Sequence, residues 1–393
     1  MQPLSVLLVA FPALVLLGLD SLAVFAVCIL YGVGLYTPQN PQRMNAVFGS
    51  WQIKFLAALL FAVLASNAAY GNAARFIKYS AYYIGFFAVY VVAAGVDKSR
   101  GLRISVLIFL CYNVVFGFAQ IAIGRPIFYQ PPIDLKLLTE TTARYFGQTS
   151  WSEAGRGIRP NGFYLYPTSY GFGLVLASSL LFLNSRILAG ASGVVLGFLS
   201  LTRNSAVGAF AGLAFDLISR RIRRPQVRLL VFIFAALAIF VGYVAVFSTG
   251  DTGSAGEYIG KILGRGRSAD ESTLFRAKLY QDTIMDFYQN NATFPFFGFS
   301  DVRGATLLGQ KTLPLGSHST FLASLYRFGV VGLFGFVCLL ISMGRTAVKA
   351  GRGGLVVALL MMMVTEDILI DPINLLIAGA ALGLLSRDTK KVA

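Results

Sequence analysis

Residues 204–248 read NSAVGAFAGLAFDLISRRIRRPQVRLLVFIFAALAIFVGYVAVFS, two apolar runs joined by a short loop that carries Arg220, Arg221, Arg223, Arg224 and Arg228. Each run is about long enough to cross the roughly 30 Å of hydrocarbon in a bilayer. A short, strongly basic loop between two such runs belongs on the cytoplasmic side. The same pattern continues in both directions. About twelve spans are expected, at 3–18, 21–36, 52–70, 79–96, 104–123, 163–183, 187–202, 204–219, 229–248, 329–344, 353–367 and 372–386. Only Asp20 interrupts the first pair, so one long tilted helix over residues 1–36 is the alternative there.

The other short linkers agree with this orientation. Lys98, Arg100 and Arg103, then Arg345, Lys349 and Arg352, then Arg387, Lys390 and Lys391 in the tail, all fall on the side of the arginine loop. Arg75 and Lys78 dissent. An even number of spans puts both termini inside.

Composition points the same way. Of 393 residues 56% are hydrophobic and 13% charged, where soluble domains run near a quarter charged. Mean hydropathy is +0.70. The expected class is an all-α polytopic membrane protein with one transmembrane domain over 1–393. A net charge of +16 would suggest nucleic acid in a soluble protein; in this class it reports loop placement instead, and no nucleic-acid partner is expected. Cys28, Cys111 and Cys338 are scattered through apolar runs, which argues against a disulfide framework or a zinc knuckle. No P-loop, G-x-S-x-G, H-E-x-x-H or D-x-D pattern occurs. Soluble ATPase, serine hydrolase and metalloprotease readings therefore lose their supports.

Two long segments face outward in this topology: 124–162 and 249–328. Loops this long are usually folded and functional. The second holds the only histidine, His318, in LGSHSTFLASLYRFGVVG. Phe321, Leu322 and Leu325 follow at helical spacing, so an amphipathic helix along the outer face is expected, with His318 at a water-accessible boundary where it can take a proton. An ordinary surface histidine or cap is the plainer reading.

Upstream lies GRGRSADESTLFR. Ser268 and Glu271 form a capping box, so a helix begins at about Ala269, with Arg265 and Arg267 before it and Arg276 two turns in. A helix N-terminus beside guanidinium groups favours an anion such as phosphate; a solvated helix with Asp270 and Glu271 neutralising the arginines is the alternative. Arg203, in SLTRNS, and Arg159, opening RPNGFYLYPTSYG, are two more cations at the outer membrane edge, candidates for function or for snorkelling. Tyr164 and Tyr166 suit an interfacial belt, and Glu366, Asp367 and Asp371 read as a solvated acidic turn, with a base or a cation site as the other reading. Gly193/Gly197 and Gly208/Gly212 are small-residue pairs that let helices approach closely.

His318-Ser319, nine further residues and then Gly329-Val330-Val331-Gly332 resemble the signature of bacterial O-antigen ligases and related polysaccharide polymerases. The span count, the arginine-bearing outer segment, the LTRNSAVGA stretch and the RPNGFYLYP stretch are similar to that family as well, over roughly residues 155–345. Ser319 stands where asparagine is commoner in the family. The resemblance implies a fold like the GT-C membrane glycosyltransferases. It implies transfer of a glycan from undecaprenyl diphosphate to an acceptor sugar hydroxyl at the periplasmic face of the bacterial inner membrane, with no metal and no cofactor. In that chemistry His318 is the base, and Arg203, Arg265, Arg267, Arg276 and Arg159 hold the diphosphate. The partners implied are a lipid-linked glycan donor, a glycan or lipid A–core acceptor, membrane lipid, a flippase and a chain-length regulator. A polymerase of O-antigen or exopolysaccharide is favoured over a ligase. A lipid-linked oligosaccharide flippase is the alternative from another class.

Overall fold

The computed structural model describes residues 2–35, 50–70, 73–95, 100–133, 144–146, 148–149, 158–235, 268–290, 296–300, 305–308, 311–369 and 371–390. The chain is mostly helical. In order the helices are α1 (Gln2–Leu17), α2 (Asp20–Leu35), α3 (Trp51–Ala69), α4 (Ala73–Gly95), α5 (Arg100–Ile123), α6 (Pro167–Leu181), α7 (Arg186–Leu199) and α8 (Arg203–Arg221). There follow α9 (Pro225–Ala235), α10 (Ser268–Asn290), α11 (Thr320–Lys349), α12 (Gly354–Thr365) and α13 (Ile373–Lys390). Four of them, α3, α4, α5 and α11, are long and apolar enough to cross a membrane; α1, α2, α7, α9, α12 and α13 are shorter apolar helices.

The first apolar stretch is two helices, not one. Gly18, at φ 79°, ends α1, and the chain doubles back so that the Leu4 amide donates to the Tyr31 hydroxyl at 3.4 Å. Large apolar side chains remain exposed along the outer helices, among them Val115 at 68%, Phe198 at 68% and Phe210 at 64%. Apolar faces of this extent suit lipid rather than water.

Small residues set how closely the helices approach, as the sequence pattern predicts. A Cβ on Gly197 would come within 2.7 Å of the Ala206 backbone in α8, and one on Gly212 would collide with the Gly354 carbonyl in α12. On α13, a Cβ at Gly379 would lie 2.6 Å from the Phe86 carbonyl of α4. Backbones this close gain dispersion contacts that larger side chains would forbid.

Among the described residues, three two-stranded antiparallel pairs accompany the helices: β1 (Ile127–Tyr129) with β2 (Arg144–Phe146), β3 (Gln148–Thr149) with β4 (Ile158–Arg159), and β5 (Ala305–Leu308) with β6 (Lys311–Pro314). They lie within the two long polar segments, 124–162 and 249–328.

Helix α11 is broken. Gly329 has φ 71° and ψ −169°, which ends the helical path begun at Thr320 and starts another. The carbonyls released by the break are paired by a short strap: the Phe299 amide donates to Tyr326 O at 2.8 Å and the Ser300 amide to Arg327 O at 2.7 Å. On the far side, the Val331 amide donates to Phe296 O at 3.2 Å. A side chain at Gly329 would collide with the Phe296 carbonyl, so only glycine fits here.

Candidate functional site

His318 sits at the threshold of α11. Ser319 is the N-cap, its hydroxyl accepting from the Leu322 amide at 3.4 Å, which is the local task a Ser performs well in this position. His318 itself is half-buried and has φ 60°. A left-handed backbone is uncommon for a residue with a Cβ, and such positions cluster at functional sites. Its surroundings enforce it: the Tyr280 hydroxyl of α10 donates to the His318 carbonyl at 3.0 Å, and the Gly316 amide donates to the Thr283 hydroxyl at 3.0 Å. Helix α10 is clamped in turn by an apolar cluster that includes Leu279, Phe287, Phe299, Leu322 and Tyr326, and by a 2.5 Å hydrogen bond from Tyr326 to Asp286.

The segment after His318 is not an amphipathic helix lying in an interface. Leu322, Ala323, Ser324, Tyr326, Arg327 and Phe328 are buried, with Phe321 and Leu325 half-buried. The apolar spacing is real, but α10 and the strap cover the side that sequence alone left to water.

The acidic turn is likewise buried rather than solvated. Helix α12 ends at Thr365, leaving Glu366 and Asp367 in the turn before α13; they are 6% and 0% exposed. Asp367 pairs with Arg327 at 3.0 Å, and Arg327 also stands 5.7 Å from the centre of the Tyr79 ring. Thr320, first residue of α11, donates both its amide (2.9 Å) and its hydroxyl (2.5 Å) to the Glu366 carbonyl. The same hydroxyl accepts from the Ile368 amide at 3.2 Å. Thus only Ser319 separates His318 from the anchor that fixes the acidic turn.

The Glu366 carboxylate accepts from the Ser169 hydroxyl at 2.9 Å, in the first turn of α6.

Ahead of α6, residues 160–164 form a buried plug. The amides of Asn161 and Gly162 donate to the Gln120 side-chain oxygen at 2.9 and 3.1 Å, and the Phe163 amide donates to Asn113 at 3.2 Å. Tyr164, expected in an interfacial belt, is 1% exposed and donates to Asn374 at 3.0 Å; Asn374 donates to the Ser169 carbonyl at 3.0 Å. Tyr166 is exposed at 38%. Arg159 is half-buried in β4, paired in register with Gln148, directly before this plug.

Arg203 is the first residue of α8. The hydroxyls of Ser200, Thr202 and Ser205 around that helix start press against Gly171 of α6, one turn beyond Thr168. The starts of α6, α8, α11 and α13 are thereby gathered near one polar cluster, through Ser169, Gly171, Thr320 and Asn374. Arg276 lies in α10, which begins at Ser268, one residue before the start expected from the capping box. Arg265 and Arg267 lie outside the described residues. The structure thus ties Thr320, close after His318 in the chain, to the turn that carries Glu366 and Asp367, pairs Asp367 with Arg327, and sets the Arg203 backbone at the start of α8.

Among the described residues no three His, Cys, Asp or Glu side chains are grouped as a metal site. No protein-family model matches the chain, and no curated protein matches it.

Proposed function

We propose that the chain is a membrane glycosyltransferase of about twelve spans with a GT-C-like fold, and that it moves a glycan from undecaprenyl diphosphate to an acceptor sugar hydroxyl at the periplasmic face of the inner membrane. Polymerisation of O-antigen or exopolysaccharide repeat units is the favoured reaction; joining to lipid A–core is the related alternative. The observation that carries the reading is His318, an imidazole held in a left-handed backbone at the start of α11 and tied through Thr320 to a buried acid turn.

In this chemistry the acceptor O–H gives its proton to His318, and the oxygen attacks the anomeric carbon opposite the leaving group. The anomeric C–O bond breaks, its electron pair stays on the diphosphate, and configuration inverts. Negative charge then develops on the leaving oxygen. Guanidinium groups and helix starts stabilise such charge where it forms, the role given to Arg203, Arg265, Arg267, Arg276 and Arg159.

Purified chain in liposomes, supplied with a lipid-linked repeat unit and no nucleotide, should release undecaprenyl diphosphate and lengthen the glycan. Release only after lipid A–core is added would mark a ligase. Arg265→Ala, Arg267→Ala and Arg276→Ala should each slow release about ten- to a hundred-fold, the worth of a charge-assisted contact. Full activity in the triple variant would remove the diphosphate site.

The broken α11 and the buried Arg327–Asp367 pair beside it favour one second reading, transport of the lipid-linked glycan, since transporters use interrupted helices and buried charges. Donor that changes leaflet without releasing diphosphate would decide for it.

A further inference from the structure

Helix α10 differs on each of its sides. Leu279, Tyr280, Thr283 and Phe287 are buried, and on this side Tyr280 and Thr283 hold His318 and Gly316. The helical repeat divides the remaining surface into flanks. One carries Asp282, Asp286 and Gln289, half-buried or exposed and all polar. The other carries Ile284, Met285 and Tyr288, all exposed, Tyr288 at 72%. A helix whose buried side is already packed on its neighbours gains nothing from a further apolar flank in water.

The chain around the end of α10 shows what meets that flank. The strap that follows carries Phe296, 58% exposed, and Phe297, whose ring centre lies 5.6 Å from that of Phe61. Phe61 is itself 56% exposed on α3, a helix long and apolar enough to cross a membrane. It lies about 12 Å along the axis before the end of α3 at Ala69. At that end the ring of Tyr70 is 6.3 Å from Phe299, and Phe299 is 6.0 Å from Phe287 of α10. Helix α10 therefore ends at the rim of a membrane-length helix, with exposed apolar side chains on both helices and on the strap that joins them.

We infer that the C-terminal half of α10 lies in the headgroup boundary of the leaflet on the His318 side, with Ile284, Met285 and Tyr288 against acyl chains and Gln289 towards water. Amphipathic helices bury an apolar flank about 5–10 Å into that boundary, and a tyrosine there keeps its hydroxyl among the headgroups. Lipid is then a structural partner of the site: the helix that fixes the His318 backbone on one side rests on the membrane by another. The inference needs a bilayer around α3, and it stands whether or not the chain is a glycosyltransferase.

The full chain in phosphatidylcholine nanodiscs can test it, with Cys28, Cys111 and Cys338 replaced by alanine. Ile284→Cys, Tyr288→Cys and Gln289→Cys, made singly, would each carry a nitrobenzoxadiazole dye, whose emission shifts to the blue in apolar surroundings. Emission from positions 284 and 288 should be blue-shifted and should be quenched by phosphatidylcholine bearing a doxyl group near its ester. Iodide in the water should quench it little. Position 289, the next residue but on the polar flank, should show the reverse pattern. Equal doxyl quenching at 288 and 289 would overturn the proposal. So would labels at 284 and 288 that iodide quenches and doxyl lipid does not. Labels there that neither quencher reaches would overturn it as well, since protein would then cover the flank.

Discussion

Replacing His318 with alanine should abolish polymer or capped lipopolysaccharide on gels while the protein remains in the membrane at its normal level. Loss of a general base is worth about 10² to 10⁴ in rate, so only trace product should survive long incubation. The backbone at this position needs its own control, because φ is 60° and alanine tolerates that region poorly. His318→Asn supplies it: asparagine accepts a left-handed backbone more readily and has no basicity. Both variants should be equally inactive. His318→Gln keeps hydrogen bonding without basicity. Near-normal product from Gln would mean that the residue only orients the acceptor, leaving Glu366 as the base. Full activity in the alanine variant would end the catalytic assignment and move transport ahead.

Breaking the Arg327–Asp367 pair should have the largest effect on stability. Both side chains are buried, at 8% and 0% exposure, so removing one leaves the other's charge uncompensated. Such a change costs about 3–5 kcal/mol. Arg327→Met and Asp367→Asn should each lower the melting temperature sharply in detergent. The double variant Arg327→Met/Asp367→Leu should recover most of the loss, since no lone charge remains. Single variants that lose less than about 1 kcal/mol, a value typical of exposed pairs, would show that the pair does not hold the turn to α11.

Helix positions were legible because long apolar runs have few alternatives. A described helix lies at every expected span, although only Pro225–Ala235 of the ninth is described. The capping box at Ser268 and Glu271 marked the start of α10 for the same reason: its partners are three residues apart. Arg327, by contrast, was overlooked, and Glu366 and Asp367 were read as solvated. A carboxylate among polar residues looks exposed unless its partner is in view, and here the partner is forty residues earlier in the chain. Tyr164 misled in a similar way. Aromatic residues near a span end suit an interface, and only Gln120, Asn113 and Asn374, on two distant helices, make it part of a buried plug. The overlooked signal was a shortage: in a chain with 13% charged residues, an Arg inside an apolar helix calls for an acid somewhere.

The break in α11 is not a property of that segment by itself. Left alone, residues 320–349 would recover every backbone hydrogen bond by continuing as one straight helix, and a single glycine would hinder this by only about 1 kcal/mol. What holds the bend is residues 296–300, whose amides and carbonyl take up what the break releases. Those residues are synthesised first, so the template for the bend leaves the ribosome before the helix it shapes. A chimaera that borrows residues 320–349 without 296–300 would therefore inherit a straight rod, with His318's successor residues turned away from the acid turn. The heritable unit is the pair of segments, and recombination between positions 300 and 320 would separate the bend from its template.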